Sequence, residues 1–256
     1  MGWAASVPPN VVLPVTSYAG TRQRGLVAHH SPASSRAHHG APELGRLAST
    51  DILAREPVMD HELSPPVRAV AHALRNLRAS WAVAGGWAID LVLGSVTRPH
   101  GDVDVAVGRA AQSALREALL GWEFRAVVGG ALAPWDRGVR LELPVHEVHA
   151  RPPSGAPGPA LEFLLNECEG ADWVYRRDPV VRLPRARAVR HVAGGLCALA
   201  PEVVLLYKSK APRPADQQDF RVALPLLDDE GRTWLRAAIL RAASDHPWAV
   251  ALAQDA

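Results

Sequence analysis

The residues from Trp81 to Val107, WAVAGGWAIDLVLGSVTRPHGDVDVAV, constrain the fold more than any other stretch of the chain. An apolar run from Trp81 to Ala84 reads as a strand and ends in the pair Gly85-Gly86, after which Trp87 to Leu93 reads as a short helix. DVDVAV follows as a second strand. Side chains two apart on a strand share a face, so the pattern predicts Asp102 and Asp104 side by side, with Val103 and Val105 turned to the core. Adjacent carboxylates repel each other. They are tolerated when protonated, paired with a cation, or bound to a hard metal such as Mg²⁺ through oxygen.

The order of these pieces adds to the pair itself. A glycine pair between a strand and a helix lets backbone amides approach a phosphate that a Cβ would hold off. A carboxylate pair follows sixteen residues after Gly86. Phosphate cradle and then metal ligands is the order of a nucleotide enzyme, although each motif alone also reads as an ordinary turn or an exposed strand edge.

GGWAIDLVLGSVTRPHGDVDVAV resembles the core signature of the nucleotidyltransferase superfamily that includes DNA polymerase beta. It is most similar to the branch of aminoglycoside 2''-adenylyltransferases and lincosamide nucleotidyltransferases, in which GGW, an Asp three residues on, a T-R-x-H segment and the D-x-D strand recur in this order. Looser similarity extends through LEFLLNE, DWVYRRDP and PEVVLLYKSKAPRPADQQDF, so it spans roughly Pro65 to Leu252. The resemblance implies that Asp102 and Asp104 hold Mg²⁺ on a nucleoside triphosphate and that Gly85 and Gly86 border its phosphates. It also implies an acidic residue on the strand beside D-x-D. Two departures stand out: Trp87 occupies a position where many superfamily members carry Ser, and Ala215 one where relatives commonly carry Lys.

Glu162, inside the apolar run LEFLLNE, fits that third carboxylate, with Glu167 as the alternative. A carboxylate between Leu161 and Phe163 is costly to bury without a cation nearby. The competing reading is an edge strand with Glu162 in solvent. Glu142 and Glu147 alternate with apolar neighbours and read as surface. His146 and His149 fall on opposite faces of a strand, which argues against a shared ion. His100 would bond a carboxylate or orient its loop; Arg98 would contact phosphate or pair with Asp90 or Asp102. Lys208 and Lys210 suit the end of a helix starting at Pro201, and equally would neutralise departing pyrophosphate. Arg176 and Arg177 read as a solvated loop, with one of them turned to the site if the resemblance holds.

The whole chain of 256 residues, at net charge +2, argues for neither a nucleic-acid nor a membrane partner. Residues 1–60 are rich in Pro, Ala, Ser, Gly and His and lack periodicity, which predicts a disordered tail, with Met59 as an alternative start. The pairs His29-His30 and His38-His39 read as incidental metal binders there. Cys168 and Cys197 fit no metal or disulfide framework, consistent with a reduced, cytoplasmic protein. From Ser64 the periodicity predicts helices at Pro65–Leu77, Ala111–Leu119 and around Trp234–Ile239. Strands are predicted at 124–128, 139–143, 145–149, 161–165 and 173–175.

The expected fold is therefore α+β, a mixed β-sheet of nucleotidyltransferase type flanked by helices. Residues 61–192 would form its core and 193–256 a small helical C-terminal part. The expected activity is Mg²⁺-dependent transfer of a nucleoside monophosphate, AMP from ATP, to a hydroxyl of a small aminoglycoside-like acceptor. Asp102, Asp104 and Glu162 would be catalytic and metal-binding; Gly85, Gly86, Arg98, His100, Lys208 and Lys210 would bind the nucleotide. The alternatives are a non-catalytic nucleotide-binding protein and an enzyme that modifies a protein.

Overall fold

The computed structural model describes residues 63–253, and the expected tail lies outside them. The order is α1 (Pro65–Ala73), β1 (Trp81–Val83), α2 (Gly85–Leu93), β2 (Asp104–Gly108), α3 (Gln112–Ala118), β3 (Glu123–Val128), β4 (Ala131–Pro134), β5 (Glu147–Arg151) and β6 (Leu161–Glu169). β7 (Asp172–Val174), β8 (Arg182–Pro184), α4 (Arg185–Ala188), β9 (Val189–His191) and β10 (Cys197–Leu199) follow. Four helices close the chain: α5 (Pro201–Lys208), α6 (Pro214–Ala223), α7 (Asp229–Ala242) and α8 (Pro247–Ala251). The sheet runs β4-β3-β5-β6-β2-β1-β10-β9, with β7 and β8 extending from β6. β2 is parallel to β6 and antiparallel to β1, so the sheet is mixed and the fold α+β.

Alternation along β2 sorts its side chains into two cores. Val105 and Val107 join Val67, Val70, Leu115, Phe163 and Leu165 on one face, the face that α1 and α3 cover. Ala106 turns to the other, where Ala82, Ala198, Leu205, Phe220, Leu235 and Ile239 pack under α2, α5, α6 and α7. A period of two on the strand and a mean period of 3.6 on the helices produce these layers. Among the described residues, no helix is long and apolar enough to cross a membrane.

Three strand expectations change. Val139–Leu143 forms no ladder, because its backbone is satisfied by side chains. Gln112 Oε1 accepts from the Leu141 N–H at 2.7 Å, and Trp135 Nε1 donates to the Val139 carbonyl at 2.7 Å. Pro144, with no N–H to give, then delays the strand, and β5 begins at Glu147. β2 likewise starts at Asp104, so Asp102 lies exposed in the preceding turn and is not its partner within a strand.

Candidate active site

The backbone turn at the end of β1 sets the site. The Ala84 N–H donates to the Asp104 carbonyl at 2.8 Å, joining the start of α2 to the start of β2. Gly85 sits at φ 61° in the left-handed region, and a Cβ there would overlap Asp104 Oδ2. Gly86 is equally confined: a Cβ would lie 2.6 Å from His100 Cε1 and would collide with Arg98 Nη2. The glycine pair therefore lets three side chains, those of Asp104, Arg98 and His100, close over the first turn of α2.

Each neighbouring residue has an identifiable anchor. Asp90, buried on α2, accepts from the Thr97 hydroxyl at 2.7 Å and the Thr97 N–H at 3.1 Å, and bonds His100 Nε2 at 2.5 Å. The His100 ring packs on Trp87 with centroids 4.5 Å apart, so Trp87 serves packing. Arg98 pairs with neither Asp90 nor Asp102. It forks onto Asp219 of α6, Nε to Oδ1 at 2.7 Å and Nη2 to Oδ2 at 2.8 Å. Lys208 reaches the same carboxylate at 3.0 Å and Asp216 at 2.5 Å. Burial would raise the Asp219 carboxyl, but the hydrogen bonds from Arg98 and Lys208 outweigh it and hold it below the usual range. Asp216, bonded by Arg213 and Lys208, is likewise held well below.

Removing Arg98 would leave Asp219 buried with one cation. Arg98→Ala is expected to cost about 2 kcal/mol, less than the loss of a sole partner because Lys208 remains. A shifted urea midpoint with an unchanged slope checks this. Arg98→Lys should recover only part, since an ammonium cannot make the fork.

β6 places the third carboxylate. Asp104 and Glu162 are direct cross-strand partners on adjacent parallel strands. Burial pushes the Asp104 carboxyl above its ordinary value, Glu147 and Asp102 add repulsion, and Lys208 opposes. Glu162 is pushed up to about 7, first by burial and then by Asp104 and Glu147, with His149 opposing. Glu167 lies five residues further along, about 16 Å at strand rise, and is ion-paired to Arg109 at 2.6 Å. Asp104 thus faces Glu162, and Glu167 is engaged elsewhere.

The raised carboxyl has a stability consequence. Native Glu162 keeps its proton to a higher pH than the unfolded chain, so its contribution is fully present below about 4.5 and is lost as pH rises through about 7. In a chelator solution, Glu162→Gln is expected to match wild type at pH 4 and to melt about 3 °C higher at pH 8, a discounted figure for a partly exposed group. Equal melting at both pH values would show that Glu162 is not held protonated.

Beside Asp104 opens a cavity of about 310 Å³ whose wall carries Arg176, Arg177, Lys208, Lys210 and Arg213. Five cations against Asp104 and Asp216 leave its lining positive, suited to a polyphosphate. Both arginines of WVYRRDP reach it. Arg176 lies over the Tyr207 ring at 4.4 Å, and Arg177 donates to the Tyr207 carbonyl at 3.1 Å. Arg213 belongs to this wall although the sequence reading passed over it. Oxygen donors crowded at Asp104 and Glu162, both with raised carboxyls, fit a hard divalent cation, which would relieve their repulsion.

With this geometry in place, comparison with known proteins adds a family match over part of the chain. Residues 66–130 match the family model of aminoglycoside-2''-adenylyltransferase. Over this segment the chain is adenylyltransferase-like. The match covers the glycine pair, the T-R-x-H segment and D-x-D, so the resemblance carried by those residues is borne out. The solution structure of the antibiotic-resistance factor ANT(2'')-Ia aligns with 70% of this chain and 91% of its own at 18% identity, TM-score 0.47. The crystal structure of ANT(2'')-Ia with adenylyl-2''-tobramycin gives 69%, 97%, 18% and 0.46. Lincomycin-bound lincosamide antibiotic adenylyltransferase LnuA gives 63%, 97%, 12% and 0.44. No curated protein matches the chain by sequence.

Proposed function

We propose that this adenylyltransferase-like chain is a Mg²⁺-dependent nucleotidyltransferase that moves AMP from ATP to a hydroxyl of a small acceptor of aminoglycoside or lincosamide type. The observation that carries the reading is the pairing of Asp104 with Glu162 in register, next to a cavity walled by five cations. The family match over 66–130 supports the acceptor class.

In this reading the triphosphate lies along Gly85 and the cationic wall. The acceptor oxygen attacks the α-phosphorus, and the bond to the bridging oxygen of the β-phosphate breaks, releasing pyrophosphate. Glu162 takes the hydroxyl proton. Arg176, Arg177, Lys208, Lys210 and Arg213 share the charge that develops on the leaving group. Mg²⁺ held by Asp102 and Asp104 would supply further charge neutralisation at the reacting phosphate. Arg98 and His100, bound to Asp219 and Asp90, hold the loop that carries Asp102 and leads into Asp104.

The test is pyrophosphate release from ATP with Mg²⁺ across a panel of aminoglycosides and lincosamides. Acceptor-dependent release is expected. A silent panel with Mg²⁺-dependent ATP binding intact would overturn the antibiotic acceptor and direct the search to protein acceptors. Loss of both binding and turnover would overturn the nucleotide reading.

A further inference from the structure

Glu162 has a second set of neighbours. β5 runs antiparallel to β6 and puts His149 directly opposite Glu162, with Glu147 two residues away on the same face of β5. One ligand atom from each of Glu147, His149 and Glu162 lies within 4.8 Å of the others, and His149 Nε2 stands 2.9 Å from Glu147 Oε1. The three donors come from two hydrogen-bonded strands, so the ladder fixes their spacing. Each is partly exposed, which leaves a path for an ion and an open coordination position.

This donor set differs chemically from the all-oxygen pair at Asp104. Magnesium binds oxygen and gives up water reluctantly, whereas an imidazole with two carboxylates suits zinc and its neighbours in the first transition row. Bonds of about 2.0–2.2 Å to a tetrahedral ion put donors about 3.4 Å apart, so side-chain shifts of about 1 Å complete the site. We propose that Glu147, His149 and Glu162 form a second cation site, selective for a zinc-class divalent ion over Mg²⁺. It shares Glu162 with the proposed transfer site but does not rest on the transfer reaction. An ion there would replace the direct contact between His149 Nε2 and Glu147 Oε1. It would also offset the repulsion that Glu147 exerts on Asp104 and Glu162.

The test is a Zn²⁺ titration of the full chain without nucleotide, in competition with a chromogenic chelator. Wild type, Glu147→Gln, His149→Ala and Asp104→Asn are compared, each checked for folding by circular dichroism. The pairs His29-His30 and His38-His39 are present in all four, so their binding is a common background. Wild type and Asp104→Asn are expected to hold one Zn²⁺ equivalent that Glu147→Gln and His149→Ala bind at least about 100-fold more weakly, and millimolar Mg²⁺ should not displace it. Equal stoichiometry and affinity in wild type and His149→Ala would overturn the proposal. So would displacement by Mg²⁺, or loss of the equivalent in Asp104→Asn, which would place the ion at the oxygen site.

Discussion

Asp104→Asn is expected to lower kcat/KM for pyrophosphate release by about 10³-fold, roughly 4 kcal/mol of barrier, while leaving the protein at least as stable as wild type. The two halves of that outcome have one cause. The carboxylate is partly buried beside Glu162 and close to Lys208, and loss of solvent pushes its proton affinity up, so its charge costs stability in the empty site. An amide of the same shape removes that cost and with it the negative charge a cation needs. Melting temperature and turnover should therefore move in opposite directions, or the former should stay put. A variant that loses activity and stability together would mean that Asp104 is a structural residue. A variant that keeps activity would remove Asp104 from the chemistry.

Gly85→Ala carries the second large effect. At φ 61° a side chain strains the backbone by about 1–2 kcal/mol, and its Cβ would strike the Asp104 carboxylate. A fall of about 5 °C in melting temperature is expected, together with about 100-fold less activity from a displaced Asp104. Gly94→Ala separates the two costs. Gly94 has φ 81° at the end of α2, but an added Cβ there meets nothing within 4 Å. That variant should lose comparable stability and keep its turnover. Equal activity losses in both variants would refute the idea that Gly85 exists to admit Asp104.

The gap between what the residues announced and what the fold arranged is clearest at Glu147. Read along the chain, it alternates with apolar neighbours and looks like surface; across the sheet, β5 sets it beside Glu162. The chain does carry a signal, since Glu147 and His149 are two apart and share a face, whereas His146 and His149 do not. Arg98 and Asp219 carried no such signal. They lie 121 residues apart, and only the docking of α6 against the loop before β2 joins them. Asp102 shows the opposite failure, a strong local pattern whose second member lies outside the ladder because β2 begins two residues later.

The sequence by itself determined the strand, glycine turn, helix and carboxylate strand of residues 81–107, and the apolar setting of Glu162. Those features depend on backbone sterics, side-chain period and the cost of burying charge, all of which act between near neighbours in the chain. Tertiary structure alone decided which carboxylate would face Asp104, which cations would wall the cavity, and how Arg98 and Lys208 would share Asp219. These depend on strand register and helix docking, where residues far apart in sequence meet because two apolar faces of one sheet have to be covered at once.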